Sequence, residues 1–108
     1  MNNVDNKELL LAAIDDYNDL THSQKELLKV LVNFNTEVSA QTIIDVIALR
    51  KQSVYPNLKK LLASNLITKI QKRTSTFLVN RTKMYEIVEF YNKKQEILQN
   101  NSIKYLTK

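Results

Sequence analysis

The chain has 108 residues, of which 44% are apolar and 25% are charged, and its formal net charge is +5. This length and composition suit one small globular domain with a modest core and argue against global disorder. The absence of cysteine excludes disulfides and thiolate metal sites, and the absence of glycine excludes glycine-rich phosphate-binding loops.

Three helices are predicted in the first half of the chain. The first runs from about Lys7 to Asn18, because its apolar residues recur near a period of 3.6. The second begins with the capping-box pattern SQKE, at Ser23 to Glu26, and continues to Phe34. Ser39 is predicted to cap a third, short helix with the sequence AQTIIDVIAL.

A fourth helical segment, QSVYPNLKKLLASNLI, contains the only proline of the chain near its start. With Ser53 as the N-cap, Pro56 falls in the first turn, where its missing N–H costs no intrahelical hydrogen bond. The proline is therefore predicted to mark the start of the helix. One side of this helix is aliphatic, and the opposite side is polar and basic.

Two short β-branched and aliphatic runs, LITKIQKR and TFLVN, follow and are separated by Thr74 and Ser75. This pattern predicts a β-hairpin. A last helix is predicted from Thr82, as its cap, to about residue 99. The remaining residues are expected to form a frayed end or a short packing tail.

The charges are distributed unevenly along the chain. Residues 1–49 have a net charge of −5, whereas residues 50–83 hold nine Lys and Arg residues and no acid. Soluble surfaces normally intersperse both signs. The acid-free block therefore predicts a surface that binds a polyanion. The alternative is that the nine cations scatter over all sides of the folded domain.

Four helices, a hairpin and a final helix is the order of a winged helix-turn-helix domain. The stretch from about Thr21 to Asn80, with VSAQTIIDVIALRKQSVYPNLKKLLASNLITKIQKRTSTFLVN at its centre, resembles the DNA-reading part of MarR-like regulators. Those families usually have glycine at the position of Asn65, and asparagine also tolerates the left-handed conformation that ends a helix. We predict one mainly α domain over residues 1–108 with a small β-hairpin, its reading head at 21–80.

The resemblance implies that the fourth helix enters the DNA major groove and that the hairpin is a basic wing. The amides of Gln52 and Asn57 suit adenine edges, and Tyr55 and Pro56 suit thymine methyl groups. Lysines would contact phosphate. The predicted DNA contacts are Arg50, Lys51, Gln52, Ser53, Tyr55, Pro56, Asn57, Lys59, Lys60, Lys69, Lys72 and Arg73. The alternatives are an ordinary solvated helix surface and a hairpin whose charges keep an edge strand soluble.

The flanking helices, residues 7–18 and 82–99, carry more apolar residues than a winged helix of about 60 residues needs for its own core. In similar regulators such helices pair two chains, which predicts a homodimer. The predicted interface consists of Leu10, Ile14, Tyr17, Met84, Ile87, Val88, Tyr91 and Leu98. The alternative is that the two helices pack on each other within one chain.

These observations predict sequence-specific binding of double-stranded DNA, in a dimeric transcriptional repressor or regulator of bacterial or mobile-element origin. Two alternatives are an accessory protein of replication, plasmid maintenance or single-strand binding, and a winged-helix protein-interaction module. We expect no enzyme, cofactor or metal, because the lone His22 has no evident catalytic partner. No effector ligand is identified. No apolar run approaches the roughly 18 residues of a membrane span, and no signal peptide is evident, so we expect a cytoplasmic protein.

Overall fold

The computed structural model describes residues 6–106, with side chains as far as residue 99. Five helices and three strands occur in this part of the chain. They are α1 (Lys7–Asp16), α2 (His22–Phe34), β1 (Val38–Ser39), α3 (Ala40–Val46), α4 (Lys51–Ala63), β2 (Ile67–Ile70), β3 (Thr76–Val79) and α5 (Arg81–Leu106). The predicted fold class, mainly α with a small β component, is confirmed.

Side-chain caps define where the early helices begin. The prediction for Ser39 is confirmed, since its Oγ accepts a 3.2 Å hydrogen bond from the Thr42 N–H at the start of α3. The capping box predicted at Ser23 to Glu26 is wrong. The box is formed by Thr21 and Gln24, two residues earlier. Both stretches fit the same S/T-x-x-E/Q pattern, and the earlier one lets α2 extend by another half-turn.

Asparagine occupies the positions that glycine fills in other proteins. Asn35, after α2, and Asn65, after α4, have positive φ angles of 58° and 63°. At the end of α4 the Leu66 N–H donates to the Leu61 carbonyl and the Asn65 N–H to the Leu62 carbonyl, both at 3.1 Å. These two bonds satisfy carbonyls that a helix end otherwise leaves free. The predicted left-handed Asn65 is confirmed.

The strands form a three-stranded antiparallel sheet in the order β1-β3-β2. The hairpin β2–β3 was predicted, but β1 was not. Its two residues are too few for an alternating pattern to be visible in the sequence. Val38 of β1 lies opposite Phe77 of β3, so the start of α3 is fixed directly to the hairpin.

Helix α5 begins at Arg81 and continues to Leu106. Thr82 is not its cap. The Asn80 Oδ1 accepts from the Thr82 and Lys83 N–H groups at 3.1 and 3.4 Å. The helix does not end near residue 99, because residues 81–106 contain neither proline nor glycine to stop it. Residues 107 and 108 of the predicted tail lie outside the described residues.

One apolar core runs through the reading head and continues between the two terminal helices. Helix α1 packs against α5 and α2, and α2 packs against α4. Ile14, Leu27, Ile43, Leu61 and Val88 have no measurable exposure. Over the described residues, no helix combines the length and apolarity needed to cross a membrane.

Candidate nucleic-acid interface

Helix α4 begins earlier than its sequence indicates. Its first residue is Lys51, and Arg50 occupies the N-cap position without a side-chain capping bond. Ser53 is therefore inside the helix, and Pro56 is its sixth residue, beyond the first turn. The predicted placement of both residues is wrong. Because proline has no N–H, the Gln52 carbonyl loses its usual donor, yet the helix continues because Val54, Leu58 and Leu61 anchor it in the core.

The two sides of α4 differ as predicted. Val54 and Leu58 are buried at 0% and 2% exposure, whereas Gln52 and Pro56 are exposed, and Tyr55 is 58% exposed. This arrangement leaves the outer side of α4 open to a partner over its first two turns.

The middle of the polar side includes a hydrogen bond within the helix. Asn57 is half-buried, and its Nδ2 donates to the Ser53 carbonyl at 2.7 Å. One amide hydrogen of Asn57 is thus already used. The Oδ1 of Asn57 makes no hydrogen bond in the described part of the chain, so the side chain can still accept through Oδ1 and donate one amide hydrogen.

A cleft of about 530 Å³ separates α4 from the hairpin. Lys59 of α4 and Lys69 of β2 both line it, so the fold brings these two predicted phosphate contacts to one concave surface. The other lining residues are apolar or uncharged: Ser39, Ala40, Gln41, Tyr55, Leu58, Leu62, Thr74, Ser75 and Phe77. The lining contains no acid, so the cleft has a positive potential that suits an anionic partner.

Lys60 lies on the other flank of α4. It lines a second cleft of about 480 Å³ together with Tyr17, Lys83, Glu86 and Phe90, between the reading head and the terminal helices. The structure therefore separates Lys59 from Lys60, which the sequence had grouped as equivalent phosphate contacts. Only Lys59 faces the wing.

Most cations of the basic block have no ionic partner. Lys72 pairs with Glu37 at 2.6 Å and Lys83 with Glu86 at 3.3 Å, and Arg81 is also engaged. The other six are exposed and form no ion pair within the part of the chain that is described: Arg50, Lys51, Lys59, Lys60, Lys69 and Arg73. Four of these six were predicted to lie just before the recognition helix or on the wing, namely Arg50, Lys51, Lys69 and Arg73, and Lys59 and Lys60 lie about two turns into α4.

The predicted dimer residues divide into buried and exposed groups. Five are at most 3% exposed inside one chain: Leu10, Ile14, Met84, Ile87 and Val88. For them the structure shows the alternative, intrachain packing of α1 on α5. Tyr17 and Tyr91 are half-buried, and the Tyr17 ring meets the Phe90 ring edge-on with centroids 6.1 Å apart. Leu98 is 51% exposed.

The exposed apolar residues of α5 include Phe90 and Ile97, which were not predicted from the sequence as interface residues. Phe90 and Ile97 are 56% and 60% exposed. With Leu98 they follow the spacing i, i+7, i+8, which places all three on one side of the helix. Their spacing was visible, but the sequence does not show where the chain's own core ends and a free apolar stripe begins.

No metal centre is indicated. Within residues 6–106 no group of three or more His, Asp or Glu side chains is placed to hold an ion. His22 is the first residue of α2 and is exposed.

No protein-family model and no curated protein sequence matches the chain, but solved structures do. MepR of Staphylococcus aureus, a transcription regulator of the multidrug efflux pump MepA, shares 16% identity with a TM-score of 0.59, over 91% of this chain and 76% of that one. BpsR of Bordetella bronchiseptica, whose DNA binding is regulated by 6-hydroxynicotinic acid, shares 18% identity with a TM-score of 0.56, over 93% and 83%.

ZitR of Lactococcus lactis, solved in complex with DNA, shares 19% identity with a TM-score of 0.52, over 82% of this chain and 64% of that one. These likenesses extend over the reading head and the flanking helices together. Sequence identities this low show a shared fold and nothing further. The chain therefore has the winged helix-turn-helix fold that these MarR-type regulators have.

Proposed function

We propose that the protein is a transcriptional regulator that binds double-stranded DNA, with α4 in the major groove and the β2–β3 wing on the adjacent backbone. The observation that carries the proposal is the set of six exposed, unpaired cations on α4 and the wing. A polyanion bound along the start of α4 and the wing would satisfy five of them together, whereas Lys60 lies on the other flank of α4. The fold shared with ZitR, which was solved with DNA, supports the same choice of partner.

The start of α4 would position the protein on the duplex. Arg50 and Lys51 are exposed at the N-terminus of α4. There the helix dipole and the free N–H groups add to their charge, an arrangement that favours a phosphate. Lys59 and Lys69, on the two sides of the cleft between α4 and the hairpin, would hold a second stretch of the DNA backbone. Such contacts set the register and carry no sequence information.

Bases would be read by the exposed residues of the first two turns. Gln52 can donate and accept in one plane, which matches adenine N6 and N7. Tyr55 and Pro56 offer apolar surface to thymine methyl groups. Asn57, with one amide hydrogen already bonded to the Ser53 carbonyl, would accept a hydrogen bond from a base amino group through Oδ1. Ser53 lies one helical turn before Asn57 on the same side of α4.

We further propose that two chains pair through α5. The stripe of Phe90, Ile97 and Leu98 is exposed in a single chain, and burial in a second copy would remove it from water. A helix of 26 residues is about 39 Å long and reaches well beyond the reading head. Two heads related by such a dimer would meet half-sites about 34 Å apart and would act as a repressor by covering the site between them.

The experiment begins with selection of bound duplexes from a random pool, followed by titration of the selected duplex and its separate strands over a range of salt. For about five phosphate contacts per chain, the slope of log K against log salt is expected near −4.5 for each bound chain. Replacing Lys59 and Lys69 together by Gln should make the slope shallower by about 2 for each bound chain. Lys93→Gln, an exposed lysine of α5, is the matched control and should leave the slope unchanged. Absence of duplex binding at low salt, or equal slopes in both variants, would refute the proposal.

A further inference from the structure

One acidic residue reaches the wing. Glu37 immediately precedes β1, and Lys72 lies in the loop between β2 and β3. Their side chains meet at 2.6 Å although 35 residues separate them in sequence. In the sheet, β3 lies between the strands to which they are attached. The ion pair therefore holds the wing loop against the opposite edge of the sheet.

This pair distinguishes Lys72 from its neighbours on the wing. Lys69 and Arg73 are exposed and have no ionic partner in the described part of the chain, whereas the Lys72 ammonium is already neutralised. The Glu37 side chain is only 29% exposed, and that of Lys72 is 60% exposed. The carboxylate is thus the more fixed member of the pair, and the lysine remains open to a competing anion.

We infer that Glu37 is an affinity-determining residue, a built-in competitor that keeps Lys72 from DNA phosphate. The inference rests on the proposed function. In the wild-type protein the wing contacts the backbone through Lys69 and Arg73, while Lys72 stays on Glu37. Because the Glu37 carboxylate neutralises the Lys72 ammonium and repels a phosphate placed beside it, the ion pair opposes a phosphate contact at this lysine.

Glu37 is expected to change the affinity for DNA and to leave the sequence preference unchanged. A phosphate contact carries no sequence information, so Glu37 weakens binding to every duplex to the same degree. Replacing it by Gln releases Lys72 for one additional phosphate. The salt slope then steepens by about 0.9 for each bound chain, the increment for one neutralised phosphate. An exposed ion pair is weak, so affinity at low salt rises by only about two- to fivefold.

Removal of any acid near DNA also raises affinity, and a second variant measures this general effect. Asp45 of α3 is an exposed acid that accepts a hydrogen bond from Gln41 at 2.9 Å and pairs with no lysine in the described chain. Asp45→Asn removes the same charge and frees no cation. It should raise affinity slightly and leave the salt slope at the wild-type value.

The test is a cycle of wild type, Glu37→Gln, Lys72→Gln and the double variant, titrated with one duplex over a range of salt. Glu37→Gln should steepen the slope, Lys72→Gln alone should leave it unchanged, and the double variant should return to the wild-type slope. The preference for selected over random duplex should be equal in all four. The inference is overturned if Glu37→Gln behaves like Asp45→Asn, or if Lys72→Gln alone lowers the slope by about 0.9.

The same cycle with heparin, a sulfated polyanion, separates this inference from the proposed function. If the wild type binds no duplex, the proposed function fails, and the heparin slopes still show whether Glu37 withholds Lys72. If duplex binding is steeply salt-dependent but the cycle is flat for both polyanions, only the role of Glu37 fails.

Discussion

The side-chain amide of Asn80 donates a 2.8 Å hydrogen bond to the main-chain carbonyl of Asn65. Asn65 follows the end of α4, and Asn80 precedes α5. The Asn80 N–H also donates to the Leu66 carbonyl at 2.9 Å, and its Oδ1 caps the first turn of α5. One side chain thus fixes the end of the helix proposed to read DNA relative to the helix proposed to pair two chains.

Asn80→Ala should destabilise the domain by about 1–2 kcal/mol, because it removes a helix cap and a hydrogen bond between two elements. Asn80→Ser is the matched control. Its hydroxyl can still cap α5 but is too short to reach Asn65, so it should cost about half as much. Urea unfolding followed by circular dichroism measures both values. Equal losses in the two variants would show that the cap contributes nothing.

Asn65 itself provides a second prediction, since its φ of 63° is strained for residues with a Cβ. Asn65→Gly should leave the free energy of unfolding within about 0.5 kcal/mol of the wild type, whereas Asn65→Ala should lower it by about 1 kcal/mol. Asn33→Ala, at an exposed position inside α2, should be neutral or stabilising because alanine favours a helix. If Asn65→Ala matched Asn65→Gly in urea unfolding, the left-handed conformation would not be what asparagine supplies.

The sequence predicted those features that depend on neighbouring residues. Ser39 was recognised as a cap, and Asn65 as a left-handed helix end, because each acts on backbone groups within a few positions. The aliphatic side of α4 followed from helical spacing alone. The candidate DNA-binding surface was indicated by the run of residues 50–83 without an acid, which needs no three-dimensional knowledge.

Features that depend on distant contacts were missed. Strand β1 exists because β3 offers it a partner, and two residues carry no pattern of their own. The burial of Ile14 and Val88 within one chain reflects the packing of α1 on α5, and an apolar stripe alone does not distinguish that from a dimer. The ion pair of Glu37 with Lys72 joins residues 35 positions apart, so only the fold reveals it.

Pro56 lies inside helix α4, where proline is normally unfavourable. We expect its replacement to stabilise the domain and to weaken DNA binding. As the sixth residue of α4 it deprives the Gln52 carbonyl of its donor. Pro56→Ala restores the N–H and should stabilise the domain by about 1–3 kcal/mol. It should also weaken binding to the selected duplex, since it removes the apolar ring proposed to contact thymine.

Gln52→Ala serves as the control for the stability effect alone, because both residues lie on the exposed side of α4. It should change the free energy of unfolding by less than about 0.5 kcal/mol. Its duplex binding should also weaken, since Gln52 is proposed to contact adenine. Thermal unfolding and duplex titration of the two variants are the measurements. A Pro56→Ala protein that is no more stable than the wild type would mean that the proline is accommodated without loss.

The exposed stripe on α5 predicts self-association. Sedimentation at micromolar concentration should give the mass of two chains of 12.6 kDa each. Ile97→Asp places a charge in the proposed interface and should yield the monomer, because an unpaired buried charge is strongly unfavourable. Asn92→Asp adds the same charge at an exposed polar position of α5 and should leave the dimer intact. A monomeric wild type would contradict the pairing of two chains.

Lys29 predicts a pH dependence. Its Nζ lies 2.8 Å from Asp15 and 3.0 Å from Glu26, and the hydrogen bonds to Asp15 and then Glu26 raise the pKa of Lys29 above its usual 10.5. A pKa that is higher in the folded state gives stability that is full below pH 10.5 and is lost as the pH rises through the folded value.

Lys29→Met should therefore lower the free energy of unfolding at neutral pH by at most about 1 kcal/mol, because Asp15 is largely exposed. Urea unfolding of Lys29→Met and wild type at pH 7 and above pH 10.5 should show the difference shrinking, while Lys93→Met, on exposed α5, should show no such trend. A difference that stayed constant would assign the effect of Lys29 to packing of its aliphatic chain.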